Sequence, residues 1–509
     1  LTVSVDSLTR FKPQPKETVL LITPPSAFLL DERVFMSLGI LKVAAVLEKA
    51  GHSVELLDLS GIENYLTVVA LQVASTKAKV AALTITTPQL PAASLIVDQI
   101  RKVRPDLRVI AGGPHITLVH SAVKLEVKLG RVGRAHKAYD RLVQLFDTMV
   151  SGDGEISIFA AIREDAPQLI DADDPKSGLF MSNADYGESP FPARHLVDVT
   201  SYKYSIEGFP STSLIAQLGC PFACGFCGGR NSKMLRMIRT RSTESIVNEV
   251  EMLYKTYGFT GYMFYDDELN VNKSMVSLMN AIGDLQERLG VEFRLRGFIK
   301  SELFNKEQAR AMFRAGFRWL LCGFEAASPR ILENINKKAT LEDNTKVLEI
   351  ADRVGLKVKG LMSVGHPGES EESILALRDW LLKVKPADFD CTVITTYPGT
   401  PYYDEAVPHP SLEDVWTYTC KKSGDQLHSY DVDFTKVAEY YKGDPDGGYH
   451  SYVFTDHLSG QQIVKLRNQV ETEVRSALNI PFNPGHASVR YEHSMGQSEL
   501  PQFILRKTQ

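Results

Sequence analysis

The chain has 509 residues, 44% hydrophobic and 23% charged, the make-up of a globular protein long enough for two or three cores. A net charge of −5 argues against a general nucleic-acid binder, and no apolar run nears the eighteen or so residues that would cross a bilayer. Six cysteines, half of them in one loop, fit a reducing compartment and not a disulfide scaffold, and residues 1–17 hold no secretory apolar segment, so a cytoplasmic setting is expected.

In chain order, residues 18–22 read as a strand, 37–50 as a helix stopped by Gly51, 53–58 and 80–85 as strands, 91–103 as a helix and 108–111 as a strand. This alternation predicts an α/β first domain, 1–163, with a Rossmann-like, doubly wound parallel sheet whose ligand lies past the strands' carboxyl ends. The loops there are Thr23-Pro24-Pro25-Ser26, Thr86-Thr87-Pro88-Gln89-Leu90, Gly112-Gly113-Pro114-His115 and Ser151-Gly152-Asp153-Gly154-Glu155. No G-x-G-x-x-G follows the first strand, which argues against a dinucleotide. Residues 164–210 carry acidic, Pro and Gly content without a period and read as a linker.

A strand-like run at 213–218 leads into Gly219-Cys220-Pro221-Phe222-Ala223-Cys224-Gly225-Phe226-Cys227-Gly228-Gly229. Three thiolates on one glycine-bearing loop can each hold one iron of a cubane cluster, which leaves the fourth iron open to a substrate. A structural zinc site is the alternative, but it wants a fourth nitrogen or sulfur ligand that the following helix does not offer. Ordinary core cysteines would not be so clustered.

Beyond the loop come helices at 242–257, 274–289, 306–315, 341–354 and 371–384, alternating with strands at 262–265, 292–296, 318–324, 357–364 and 388–395. Six strand-helix starts without closure predict a partial (β/α)6 TIM-like barrel over 211–400, with its chemistry at the strands' carboxyl ends. From about residue 402 the pattern is lost and aromatics crowd in: Tyr418, Tyr430, Tyr440, Tyr441, Tyr449 and Tyr452, with Trp416 and His428. With a last helix at 460–478, residues 401–509 are expected to form a small α-rich cap that covers the barrel mouth and selects the substrate.

The spacing C-x3-C-x2-C, with Phe226 just before the last cysteine, resembles the radical S-adenosylmethionine (SAM) superfamily. The resemblance implies a [4Fe-4S] cluster on Cys220, Cys224 and Cys227, whose open iron chelates SAM and whose electron cleaves it to a 5′-deoxyadenosyl radical. It further implies SAM contacts from Phe226, from Asp266, Asp267 and Glu268 in place of a Gly-Gly-Glu-like segment, and from Glu325 and Ser328 of a G-x-E-x-x-S segment. Ser363, Tyr397 and Arg296, the last for the SAM carboxylate, complete that set. Alternation along a strand sends Asp266 and Asp267 opposite ways, so they make a poor acid/base pair. His366 is a turn histidine or a second-rank catalytic candidate.

The first domain's turns, with a Ser-Leu-Gly helix start, look like a cobalamin-binding domain. That resemblance places Pro25, Ser26, Leu38, Gly39, Thr84, Thr86, Pro88, Gln89, Gly112, Gly113, His115, Gly152, Asp153 and Glu155 around the cofactor. The D-x-H-x-x-G pattern that lends some corrinoids a histidine is absent. Cobalamin is therefore expected "base-off, His-off", its lower face capped from residues 86–90. Pro190-Phe191-Pro192-Ala193-Arg194 resembles the bridge between these two domains.

Together the resemblance is to cobalamin-dependent radical SAM enzymes of the methyltransferase type. It implies transfer of a methyl group from SAM via methylcobalamin to an unactivated carbon of a small molecule of a natural-product or cofactor pathway. The partners implied are that substrate and a flavodoxin- or ferredoxin-type reductant, without nucleic acid or membrane, on a monomer or weak homo-oligomer. A cyclase, hydroxylase or ring-contracting enzyme on the same cofactors shares every motif. A methylthiotransferase would want more cluster cysteines before Cys220, and a cobalamin carrier has no use for the loop. Arg230, Lys233, Arg236, Arg239 and Arg241 read either as a solvated surface or as a docking site for an acidic reductase or anionic substrate. Cys322 and Cys391 are expected in the core, with Cys420 open.

Overall fold

The computed structural model describes residues 16–26, 33–437 and 450–480. The first sheet is wholly parallel, built of β1 Thr18–Thr23, β2 Ser53–Asp58, β3 Val80–Thr84, β4 Arg108–Gly112, β5 Thr148–Ser151 and β6 Leu169–Asp171, in the order β2-β1-β3-β4-β5-β6. Its strands are apolar on both faces because helices cover both. Leu20, Ile22, Leu83 and Val109 pack against helices α2 Tyr65–Ser75, α3 Leu90–Val103, α4 Pro114–Lys128 and α5 Arg134–Leu145. Val19, Leu21, Ala82 and Ile110 pack against α1 Leu38–Lys49 and α6 Gly154–Ala161. The strand order reverses between β1 and β3, the switch point at which such sheets open a crevice.

β6 falls inside the stretch read as a linker, so the first sheet runs on to Asp171. Only three residues long, it has too little length to show a period. The true crossing segment is pinned by Arg194, which is buried and bonds Glu249 at 2.7 Å and the Ser213 carbonyl at 2.8 Å.

The second sheet holds β7 Ser205–Ile206, β8 Phe209–Leu214, β11 Gly261–Phe264, β12 Arg294–Ile299, β13 Trp319–Glu325, β14 Lys357–Val364 and β15 Asp388–Val393, numbered with β9 Gln217–Leu218 and β10 Arg239–Thr240 between them. The order is β15-β14-β13-β12-β11-β8-β7, six parallel strands with antiparallel β7 at one edge. The strand expected at 213–218 is displaced: β8 ends at Leu214, and Gln217–Leu218 pairs instead with Arg239–Thr240. β8 hides in sequence because Pro210, Ser211, Thr212 and Ser213 give it no apolar face of its own. Inside the curl, Met263, Phe298, Leu321 and Leu361 meet Val34 and Phe35 of the first domain and Tyr204 and Ile206 of the crossing segment.

The C-terminal unit adds a sheet to the helix expected there. It is a four-stranded antiparallel sheet of β16 Val407–Pro408, β17 Val415–Thr419, β18 Gln426–Tyr430 and β19 Val453–Thr455, followed by one long helix, Gly460–Leu478. The aromatics at Trp416, Tyr418 and Tyr430 are strand residues, as their β propensity favours; Tyr440, Tyr441 and Tyr449 lie outside the described residues. The helix does not cover the mouth. Its Glu471 accepts from the Cys391 amide at 2.8 Å and its Arg467 donates to the Cys391 carbonyl at 2.7 Å, so polar side chains close the free edge of β15.

Candidate active site

A cavity of about 330 Å³ opens at the switch point of the first sheet. Leu38, Gly39, Thr84, Gly112, Gly113, Gly152, Asp153 and Glu155 line it, and Met234, Leu235 and Asp267 of the second domain roof it. Its floor is shaped by missing side chains: a Cβ at Gly39 meets nothing within 4 Å, and one at Gly112 meets only Val150, at 3.9 Å. Such a slot suits a flat, largely apolar group such as the aromatic base that ends the nucleotide tail of a corrinoid. Asp153 also pairs with buried Arg239 across the domain boundary.

The other residues expected around cobalamin sit elsewhere. Thr86 and Pro88 line a second cavity. Pro25, Ser26, Gln89 and His115 line neither. Gln89 closes a capping box with Thr86 and bonds the Pro24 carbonyl at 2.8 Å, which fixes the loop from behind. His115 is buried 3.0 Å from Thr87 Oγ1, and burial lowers its pKa to about 4, which keeps it neutral.

The second cavity, about 570 Å³, lies between the loop at residues 86–88 and the mouth of the curled sheet. Cys220, Cys224, Cys227, Phe226, Glu268, Glu325, Ser363 and Tyr397 line it, and Pro114 borders both cavities. The cysteine loop is held from three sides: Cys220 N to Leu235 O at 3.1 Å, Gly225 N to Ile335 O at 2.8 Å and Gly229 N to Gly399 O at 2.8 Å. Two glycines are obligatory. Gly219 has φ 87°, and a Cβ at Gly225 would fall 2.2 Å from the Tyr402 ring.

Among the described residues no three His, Cys, Asp or Glu side chains gather as they would around a single metal ion. A cubane does not ask this of its thiolates, since each takes its own iron. The three cysteines on one cavity wall therefore fit a cluster. Cys224 and Cys227 share a hydrogen bond that lowers the pKa of Cys224 to about 6 and raises that of Cys227.

Three successive acids at the end of β11 go to three places. Asp266 is buried and accepts from the Ala216 amide at 3.2 Å. Asp267 lines the first cavity and Glu268 the second. Glu268 Oε2 is buried without a hydrogen-bond partner among the described residues, and burial raises its pKa to about 7. It suits an incoming cation.

Opposite, the register of β13 against β14 slips between Gly323 and Glu325, and Glu325 sits at φ 63°. Its carboxylate accepts from Lys337 Nζ at 3.0 Å and Ser363 Oγ at 2.7 Å, and Ser363 in turn lies 2.8 Å from His366 Nε2. Burial lowers the pKa of His366 to about 4, and its ring packs edge-on to Phe226 at 5.5 Å. It braces the site and does not line it.

Arg296 does not reach the mouth. It sits two residues below Phe298 on the inward face of β12, buried, with its guanidinium 5.4 Å from the Trp319 ring and bonded to Tyr204. The cations that line the cavity are Lys300, Lys337 and Arg230. Lys300 continues the same alternation past Phe298, a signal the sequence did carry; Lys337 follows a short helix and belongs to no motif. Burial opposes the charge on Lys337, but Glu325, Cys224 and Glu268 outweigh it and raise its pKa. Ser328 holds the N-cap position of the helix Pro329–Ile335 and lines neither cavity.

The basic run is mostly internal. Arg239 and Arg241 are buried against Asp153 and Glu249, Arg230 and Arg236 bond carbonyls of the cysteine loop, and only Lys233 is plainly exposed. No described residue beyond Tyr397 lines either cavity.

With this geometry the comparisons with known proteins agree. The B12 binding domain family matches residues 32–143 and the radical SAM superfamily residues 214–381. The chain is 26% identical to an uncharacterized methyltransferase of Pyrococcus horikoshii over 77% of its own length and 84% of the relative. It is 23% identical to the anaerobic magnesium-protoporphyrin IX monomethyl ester cyclase of Rubrivivax gelatinosus over 65% of this chain and 60% of that one. The fold is similar to TsrM, a radical SAM methyltransferase from Kitasatospora setae solved with cobalamin and a [4Fe-4S] cluster, at TM-score 0.62 and 18% identity over 92% of this chain and 91% of that one. A B12-binding sheet followed by a cysteine-bearing half-barrel defines an enzyme that works with two cofactors. The chain joins a B12 binding domain to a radical SAM domain, the pairing found in cobalamin-dependent radical SAM enzymes, and it is similar to proteins named as methyltransferases.

Proposed function

We propose that the enzyme methylates carbon of a small organic substrate held where the two cavities adjoin, and the shared border at Pro114 carries that reading. When bound, the cluster supplies the electron that splits SAM, and the corrinoid supplies the methyl group. The residues that would hold them are Cys220, Cys224 and Cys227 for the cluster and the slot around Gly39, Gly112 and Gly152 for cobalamin.

In this reading Glu268 accepts a hydrogen bond from the SAM amino group on its unpartnered oxygen, and Lys300 stands in the role expected of Arg296, toward the carboxylate. Glu325, held between Lys337 and Ser363, is left to orient the nucleoside. Phe222, Phe226, Phe298, Leu361 and Ile394 exclude water, which protects a reactive carbon centre from stray hydrogen donors. Thr86, Thr87 and Pro88 would lie beside the corrinoid and offer no imidazole, since His115 is turned to Thr87, which supports a base-off, His-off form. A flavodoxin- or ferredoxin-type protein is the reductant, and the cytoplasm the setting. Among the described residues no helix is long and apolar enough to cross a membrane.

The test is anaerobic reconstitution with iron, sulfide and cobalamin, then incubation with SAM carrying a deuterated methyl group and candidate pathway intermediates. The expected result is 5′-deoxyadenosine together with a product heavier by one labelled methyl. Deoxyadenosine with an unlabelled, rearranged product would assign the enzyme to the non-methylating branch.

A further inference from the structure

Arg230 stands three residues past the last cysteine and lines the second cavity. Every hydrogen bond its side chain makes among the described residues goes to a carbonyl of the cysteine loop: Nη1 donates to Cys220 O at 3.0 Å and to Phe222 O, and Nε to Gly228 O at 3.1 Å. Arg236 adds a bond to Pro221 O at 2.8 Å. Two guanidiniums thus collect the carbonyl oxygens that flank the first and last cysteines. The other two arginines of the run spend their charge on Asp153 and Glu249. Arg230 keeps its positive charge within the wall that carries the thiolates.

Adding an electron to a thiolate-ligated cluster adds negative charge to a site already negative, and a fixed cation in a partly desolvated wall offsets that cost. We infer that Arg230, backed by Arg236, raises the reduction potential of the cluster and so sets how strong a reductant the enzyme requires. A guanidinium suits this because it cannot lose its proton, and its planar fork reaches carbonyls on both sides of the loop. The inference rests on the loop being the cluster site. It assigns these two residues an electrostatic, positioning role, apart from contact with substrate.

The experiment is an EPR-monitored redox titration of the full-length, anaerobically reconstituted protein without SAM, for the wild type, Arg230→Gln, Arg230→Lys and Arg236→Gln, with iron measured in each. Arg230→Gln keeps an amide donor and loses the charge. The ratio of reduced to oxidised cluster at fixed potential should fall about tenfold, equal to ~59 mV for one electron. Arg230→Lys should stay near the wild type, and Arg236→Gln should shift the same way by less. Full iron with an unchanged midpoint in Arg230→Gln, or a Lys variant that shifts as far as Gln, overturns the inference. If Arg230→Gln fails to retain iron, Arg236→Gln decides, since it leaves the three Arg230 bonds in place: a lowered midpoint supports the role and an unchanged one refutes it. A wild type without any iron-sulfur signal would refute the cluster site itself.

Discussion

Lys337 Nζ lies 3.0 Å from Glu325 Oε1, both side chains almost wholly enclosed and both facing the cavity that carries the three cysteines. Removing one member of such a pair strands the other charge, at a cost of about 3 to 5 kcal/mol. Glu325→Ala should therefore lower the unfolding free energy obtained from denaturant titration by roughly that amount. Glu325→Gln, which can still accept from Ser363, should lose less. An Ala variant as stable as the wild type would show that the pair is not buried as described.

Cys224→Ala removes one cluster ligand and leaves the corrinoid slot untouched. It should abolish 5′-deoxyadenosine formation and lower bound iron while the corrinoid absorption band is retained. Deoxyadenosine from that variant would break the assignment of the loop.

Gly39→Leu places a side chain in the open space of the slot at a helical position with ordinary backbone, so folding is expected to survive. Corrinoid affinity should fall at least tenfold, about 1.4 kcal/mol, with iron content unchanged. Equal corrinoid binding by the two proteins would move the cofactor out of this cavity.

Glu268 has its pKa raised to about 7 by burial, and its ionised form is the stronger acceptor for the SAM amino group. The carboxylate is ionised above that pH and protonated below it, so SAM affinity should be full above about pH 7 and weaken as pH falls, by up to tenfold per unit. Glu268→Gln should bind weakly and with a flat profile in equilibrium dialysis. A wild-type affinity independent of pH between 6 and 8 would remove Glu268 from the site.

How much of this was legible beforehand differed by the kind of signal. Cys220, Cys224 and Cys227 stood out because three cysteines on one loop are local in sequence, and they line one cavity. The first sheet was readable through its long apolar runs, and the barrel through repeated helix-strand alternation. β6 and β8 were not, one too short and the other too polar, since both draw their stability from a neighbouring strand. Lys337 was invisible because its meaning lies in Glu325, twelve residues away and on another element. The basic run misled for a like reason: Asp153 and Glu249, which bury two of its members, are remote in the chain.

Val34 and Phe35, contributed by the corrinoid domain, rest on Met263, Phe298, Leu321 and Leu361 within the curl of the second sheet. The radical-generating half thus borrows its stopper from the half that carries the methyl donor. Excised alone, residues 211–480 would open that apolar bore to solvent beneath the very cavity that must stay dry, so the two halves are one machine and not a pair of exchangeable modules.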